Sequence, residues 1–159
     1  MKEKVSVLIA DDNQEFSHTL STYINAQDDM QVVGMARDGE EAIEIMQDIT
    51  PDVVLLDVIM PHLDGLGVLE KISTMQINKK PICIMLSAVG QDKITQKAIA
   101  LGAEYYVVKP FDIELLMKRI REIKFFKPSQ NTNNFIAKET TKQQYIDISR
   151  EESKKEENL

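Results

Sequence analysis

Five short apolar runs punctuate the chain: Val5 to Ala10, Gln31 to Ala36, Val53 to Leu56, Ile82 to Leu86 and Tyr105 to Val108. Between and after them lie stretches whose apolar residues recur every three or four positions: Phe16 to Ile24, Ala42 to Ile49, Leu66 to Met75, Ile94 to Leu101 and Ile113 to Ile123. Short runs of this kind read as strands and the three-to-four spacing reads as helices, so the chain is a fivefold strand-then-helix alternation. Alternating strands and helices build a parallel sheet, because right-handed crossovers bring each helix back onto a sheet face. The unbroken run Val53-Val54-Leu55-Leu56 fits a strand covered on both sides. The expected fold is therefore α/β, a doubly wound five-stranded parallel sheet with strand order 2-1-3-4-5. In such a sheet, ligands sit beyond the carboxyl ends of strands 1 and 3, at the topological switch point.

Composition narrows what that edge can do. The formal charge is -7 and the sequence pI about 4.9, so the chain is not expected to grip a phosphate backbone unaided. No run reaches the apolar length that spans a bilayer, and the N-terminal apolar stretch is too short for a secretory h-region. A single cysteine, Cys83, sits inside an apolar run, as a buried, inert thiol would. Together these point to a cytoplasmic protein with no membrane contact. Only Gly65-Leu66-Gly67 gives a G-x-G, and Glu70 stands where a third glycine would be, so no dinucleotide site is expected. Two histidines and one cysteine supply no zinc set. After residue 125 the texture becomes polar and turn-rich. This divides the chain into a folded domain, 1–125, and a largely flexible linker or tail, 126–159.

The chemistry lies at the strand ends. Asp11 and Asp12 follow the first strand, Asp57 closes the third, Ser87 the fourth and Lys109 the fifth. Singly, each has an ordinary use: Asp and Ser cap helices, and Lys snorkels into water. Together, three carboxylates at one crevice raise one another's pKa and repel unless a cation neutralises them. Hard oxygen donors suit Mg²⁺, which leaves coordination positions for phosphate oxygens, and Mn²⁺ or Ca²⁺ can take its place. Lys109 and the Ser87 hydroxyl supply a cation and a donor for a transferring phosphoryl group. Asp57 is then the nucleophile, and an acyl phosphate its product.

Ala10-Asp11-Asp12-Asn13, Asp57 to Gly65, Leu86-Ser87-Ala88 and Lys109-Pro110-Phe111 resemble the hallmark motifs of the response-regulator receiver domain, over residues 1 to about 125. The stretches Ile59 to Leu66 and Met85 to Gln91 further resemble receivers of sporulation transcription factors. The resemblance implies a flavodoxin-like receiver fold that takes a phosphoryl group on Asp57 from a histidine phosphotransferase or kinase. It also implies metal binding by Asp12, Asp57 and the Ile59 backbone carbonyl, with Asp11 acting through water. Lys109 would pair with the phosphate or the unphosphorylated Asp57, Ser87 would move toward the phosphate, and Tyr106 would follow as the switch. The Lys109-Pro110 bond would be cis. A homodimer would form through the fourth helix, fifth strand and fifth helix, and DNA would be met only through a C-terminal domain absent from this chain.

Three local expectations follow. Asp64-Gly65 reads as a turn opening the third helix, with glycine relieving a strained dihedral. Ile59 and Val89 cannot hydrogen-bond an attacking water, so the acyl phosphate should be long-lived. Ile59 also stands where metal-dependent phosphohydrolases with an aspartyl nucleophile want a second Asp as general acid, which argues against enzyme turnover. A standalone receiver acting as a relay intermediate or by protein contact fits the same residues.

Overall fold

Neighbouring side chains of a strand point to opposite faces, and the short central run of this chain buries both. The computed structural model describes residues 3–123, so the expected tail, 126–159, lies outside the described residues. The elements run β1 (Val5–Ala10), α1 (Gln14–Asn25), β2 (Met30–Ala36), α2 (Gly39–Asp48), β3 (Val53–Leu56), α3 (Gly65–Thr74), β4 (Ile82–Ser87), α4 (Asp92–Ala100), β5 (Tyr105–Val108) and α5 (Ile113–Ile123). All neighbouring strands pair in parallel, in the order β2-β1-β3-β4-β5, as the alternation predicted.

Two apolar layers follow from the strand period of two. Leu8, Val54, Leu56, Met85 and Tyr106 face one way and pack with Met46 of α2, Val68 of α3 and Ile99 of α4. Val7, Ile9, Val53, Leu55, Ile84 and Tyr105 face the other way, against Leu20 and Ile24 of α1 and Leu116 and Ile120 of α5. Burying a side chain of Leu or Ile size stabilises by roughly 1.5–3 kcal/mol relative to leaving it in water. The two layers together therefore fix the sheet rigidly beneath its carboxyl edge. No helix among the described residues is long and apolar enough to cross a membrane.

The helices α1 to α4 start one to three residues before the apolar periodicity does, because it marks only apolar positions, whereas α5 starts where the periodicity does. Asn13, Asp38 and Asp64 sit at the N-caps, and their side chains accept from the backbone N–H of Phe16 (3.1 Å), Glu41 (2.8 Å) and Gly67 (2.7 Å). Each such cap typically adds about 1 kcal/mol. A register shift between Val7 and Leu8 on β1 skips Val33 of β2, so that Leu8 pairs with Gly34.

The amino edge of the sheet is closed by a polar clamp. The Ser6 N–H (2.9 Å) and hydroxyl (3.1 Å) donate to Asp52, the Asp52 N–H donates back to the Ser6 hydroxyl (2.9 Å), and Lys79 approaches the other carboxylate oxygen at 2.9 Å. Burial pushes the Asp52 carboxyl up, but the Ser6 donors and the Lys79 cation outweigh it and hold the group below its ordinary value of 3.8. A carboxyl held low in the fold stabilises it above the unfolded-state pKa, and that contribution is lost as pH falls through the folded-state pKa. Wild type is thus expected to lose stability below about pH 4 more steeply than Asp52→Asn in urea melts taken across that range. Parallel pH profiles would contradict the clamp.

Candidate functional site

Parallel strands all end on one edge, so the residue that follows each strand is carried to a shared crevice. Asp11 leaves β1, Asp57 leaves the adjacent β3, Ser87 ends β4, and Lys109 leaves β5. The backbone fixes these exits: Asp57 N–H donates to Ala10 C=O (2.9 Å), and Lys109 N–H donates to Ser87 C=O (2.8 Å). The Lys109-Pro110 peptide bond is cis.

Asp11, Asp12 and Asp57 each bring a carboxylate oxygen within 4.8 Å of the others. Asp11 is 3% exposed, Asp57 is half-buried and Asp12 is open to solvent. Both oxygens of Asp11 are engaged, one by the Asn13 N–H (2.8 Å) and the other by the Lys109 ammonium (2.7 Å). Lys109 also lies 3.8 Å from Asp57. The expected Lys109–Asp57 pair is thus present as the longer of two contacts. The closer partner is Asp11, the more deeply buried acid and so the one in greater need of a counter-charge.

Burial, and next the Asp11 charge, hold the Asp57 carboxyl above its ordinary value, against the Lys109 cation, the Ser87 hydroxyl and the Ile59 N–H. The three carboxylates face one ammonium, and one divalent cation would offset the two negative charges left over. The donor set of hard oxygens fits such an ion.

Around this centre the structure places the remaining predicted residues. Ser87 is buried, and its hydroxyl oxygen accepts from the Val89 N–H (3.2 Å). Tyr106 lies in the α2–α3–α4 layer, and its hydroxyl donates to the Val89 carbonyl; Tyr105 belongs to the opposite layer. Ile59 is 62% exposed in the loop after Asp57. His62 in the same loop has φ +67°.

One expectation is corrected. Gly65 does not relieve a strained dihedral, since its φ is not positive. Glycine is needed there because a Cβ would lie 2.2 Å from the Asp57 carbonyl oxygen and 3.0 Å from the Val58 Cα. The helix start is drawn in by the Gly65 N–H, which donates to Val58 C=O at 2.7 Å.

The sequence reading missed an aromatic pair beside the lysine. The Phe16 ring on α1 lies under the Lys109 ammonium, 4.0 Å from ring centroid to Nζ, and meets the Phe111 ring edge-on with centroids 6.3 Å apart. Phe111 was visible after Lys109-Pro110. Phe16 carried only the signal of an apolar residue in a helix.

The sequence pattern of the family described as Response regulator receiver domain matches residues 7–121. The structure is similar to the response regulator domain of Thermotoga maritima CheB, with 31% identity, TM-score 0.71, and coverage of 79% of this chain and 100% of that one. It is also similar to a chain of the CheX–CheY–BeF3–Mg²⁺ complex from Borrelia burgdorferi, with 31% identity, TM-score 0.68, and coverage of 79% and 92%. The N-terminal domain of an uncharacterized protein from Wolinella succinogenes matches at 32% identity, TM-score 0.69, and coverage of 76% and 94%.

Proposed function

The chain belongs to the response regulator receiver domain family, and from that premise we propose that Asp57 accepts a phosphoryl group from a histidine phosphodonor. Family membership makes the chain a phosphoacceptor signalling module of two-component type and not a classical enzyme. The observation that carries the proposal is the meeting of three carboxylates, one hydroxyl and one ammonium from four strand ends in a single crevice.

In the proposed reaction an Asp57 carboxylate oxygen attacks phosphorus. The new O–P bond replaces the P–N bond to the donor imidazole, which keeps the electron pair and is left as neutral histidine once protonation is balanced with solvent. Asp12, Asp57 and the Ile59 carbonyl would hold Mg²⁺ directly, with Asp11 acting through water; the related complex containing BeF3 and Mg²⁺ supports that choice over Mn²⁺ or Ca²⁺. Bound there, the cation would neutralise charge on the phosphoryl oxygens. Lys109, 3.8 Å from Asp57, would contribute a second positive charge and Ser87 a hydroxyl donor. On our reading the Ser87 hydroxyl turns from Val89 toward the phosphoryl group. The Val89 carbonyl that holds Tyr106 shifts with it, and the surface of α4, β5 and α5 changes. Leu115, 43% exposed on α5, and half-buried Val107 and Phe111 give that face apolar surface for a second receiver.

The finer reading rests on Ile59 to Leu66 and Met85 to Gln91, which resemble the receiver of stage 0 sporulation protein A from spore-forming Firmicutes. On that reading the chain works in the cytoplasm, its phosphorylation switches a sporulation transcription factor, and DNA is met by a separate domain.

With excess acetyl phosphate, incorporation should stop at one phosphoryl group per chain. Sustained turnover of a phosphate ester would instead make the chain a phosphohydrolase. Neither Ile59 nor Val89 can orient a hydrolytic water through its side chain, so the phosphorylated state should last many minutes or more. Ile59→Asn is expected to shorten its half-life severalfold, measured by the decay of the phosphorylated mass after donor removal. An unchanged or longer half-life would count against this account.

A further inference from the structure

We propose that Phe16 is a positioning residue for Lys109, its ring face holding the ammonium over the acidic cluster in the place from which it meets the incoming phosphoryl group. This rests on the receiver reading of the site.

The Lys109 ammonium has three N–H bonds to direct. Asp11 lies at 2.7 Å and Asp57 at 3.8 Å, and the Phe16 ring covers a further side at 4.0 Å to its centroid. A cation over an aromatic face is held by the ring quadrupole, most strongly where water is excluded, and the Lys109 side chain is 21% exposed. Without the ring, a flexible four-carbon stem bearing a strongly hydrated head would sample positions in solvent.

The ring is itself fixed from two directions. Its backbone N–H is the one that caps α1, donating to Asn13 at 3.1 Å, so the loop that carries Asp11 and Asp12 also sets where Phe16 starts. Phe111, two residues beyond Lys109, presses on it at an interplanar angle of 85°. The segment that delivers the lysine thus also braces the ring that receives it. A ring placed only to fill the α1–α5 layer would need apolar neighbours and no cation, whereas this one shares its face with the charge central to the reaction.

The test measures the initial rate of phosphoryl incorporation by intact mass, with acetyl phosphate and Mg²⁺, for wild type, Phe16→Leu, Phe16→Tyr and the same Phe16→Leu change in a Lys109→Met background. Phe16→Leu keeps apolar bulk and removes the π face. It is expected to slow incorporation about three- to tenfold, the range for losing a partly desolvated cation–π contact. Phe16→Tyr keeps the face and should stay within about twofold of wild type. In the Lys109→Met background, already slow, Phe16→Leu should change the rate less than about twofold, because residues that act through one contact are not additive. The inference is overturned if Leu matches wild type, if Leu and Tyr slow the reaction equally, or if Leu slows the Lys109→Met protein by its full factor. Wild type that takes up no phosphoryl group, even from a phosphohistidine protein, overturns the receiver reading and this inference with it. Labelled wild type with an indifferent Phe16→Leu overturns the inference alone.

Discussion

Gly65→Ala is expected to destabilise the fold by about 3 kcal/mol and to slow phosphoryl uptake by about 10²-fold, although Gly65 has no functional group. The added methyl would meet the Asp57 carbonyl oxygen at 2.2 Å and its carbon at 3.0 Å. That backbone is pinned from the far side, where the Asp57 N–H donates to Ala10, and Gly65 is pinned in turn to Val58. Neither partner can retreat without breaking a buried hydrogen bond, and any relief moves the carboxylate itself. Gly102→Ala is the control: φ there is +113° and nothing lies within 4 Å of the new Cβ. It should cost about 1 kcal/mol in backbone strain and leave uptake unchanged. Urea melts with constant slope, read beside rates from intact mass, separate the two positions. A Gly65→Ala protein within 1 kcal/mol of wild type and labelled at its rate would contradict the close-approach account.

Lys109→Met is the second large effect. It keeps the length and bulk of the stem but leaves Asp11, 3% exposed, without its 2.7 Å partner. Removing one member of a buried ion pair strands a charge, and about 3 kcal/mol is the expected loss of stability in the absence of divalent metal. Mg²⁺ should recover part of it by mass action, because an ion that binds only the folded cluster stabilises that state. Phosphoryl uptake is a separate matter: the cation that meets developing charge on the transferring group is gone, so uptake should fall by 10²-fold or more at saturating Mg²⁺. Thermal melts with and without Mg²⁺ give the first number and intact-mass time courses the second. If the variant is as stable as wild type without metal, Asp11 is not held by Lys109 in the way the geometry indicates.

Much of this was legible because parallel sheets convert sequence order into place. Val53 to Leu56 stood out as a strand because it is apolar on both faces, and once the strand ends were located, Asp11, Asp12, Asp57, Ser87 and Lys109 had to share one edge. The illegible part depends on contacts between segments far apart in the chain. Nothing local distinguishes Gly65 in a strained turn from Gly65 against the Asp57 carbonyl. The Phe16 ring became part of the site only when α1 and the loop after β5 came together. The closer pairing of Lys109 with Asp11 follows from differential burial, which no spacing encodes. Gly34 did carry a local signal, a glycine inside a strand pattern, and the register shift lies immediately before it. The caps at Asn13, Asp38 and Asp64 were likewise readable as residue types, but periodicity marks only apolar positions and so started their helices late.

Every role proposed for the crevice depends on Asp57 taking one phosphoryl group in a metal-dependent reaction. The direct test is intact mass after incubation with acetyl phosphate and Mg²⁺, alongside Asp57→Asn and an EDTA control. One added phosphoryl group on wild type, absent from Asp57→Asn and absent with EDTA, is the predicted result. Addition that persists in Asp57→Asn or without metal, or wild type left unmodified even by a phosphohistidine protein, would contradict it.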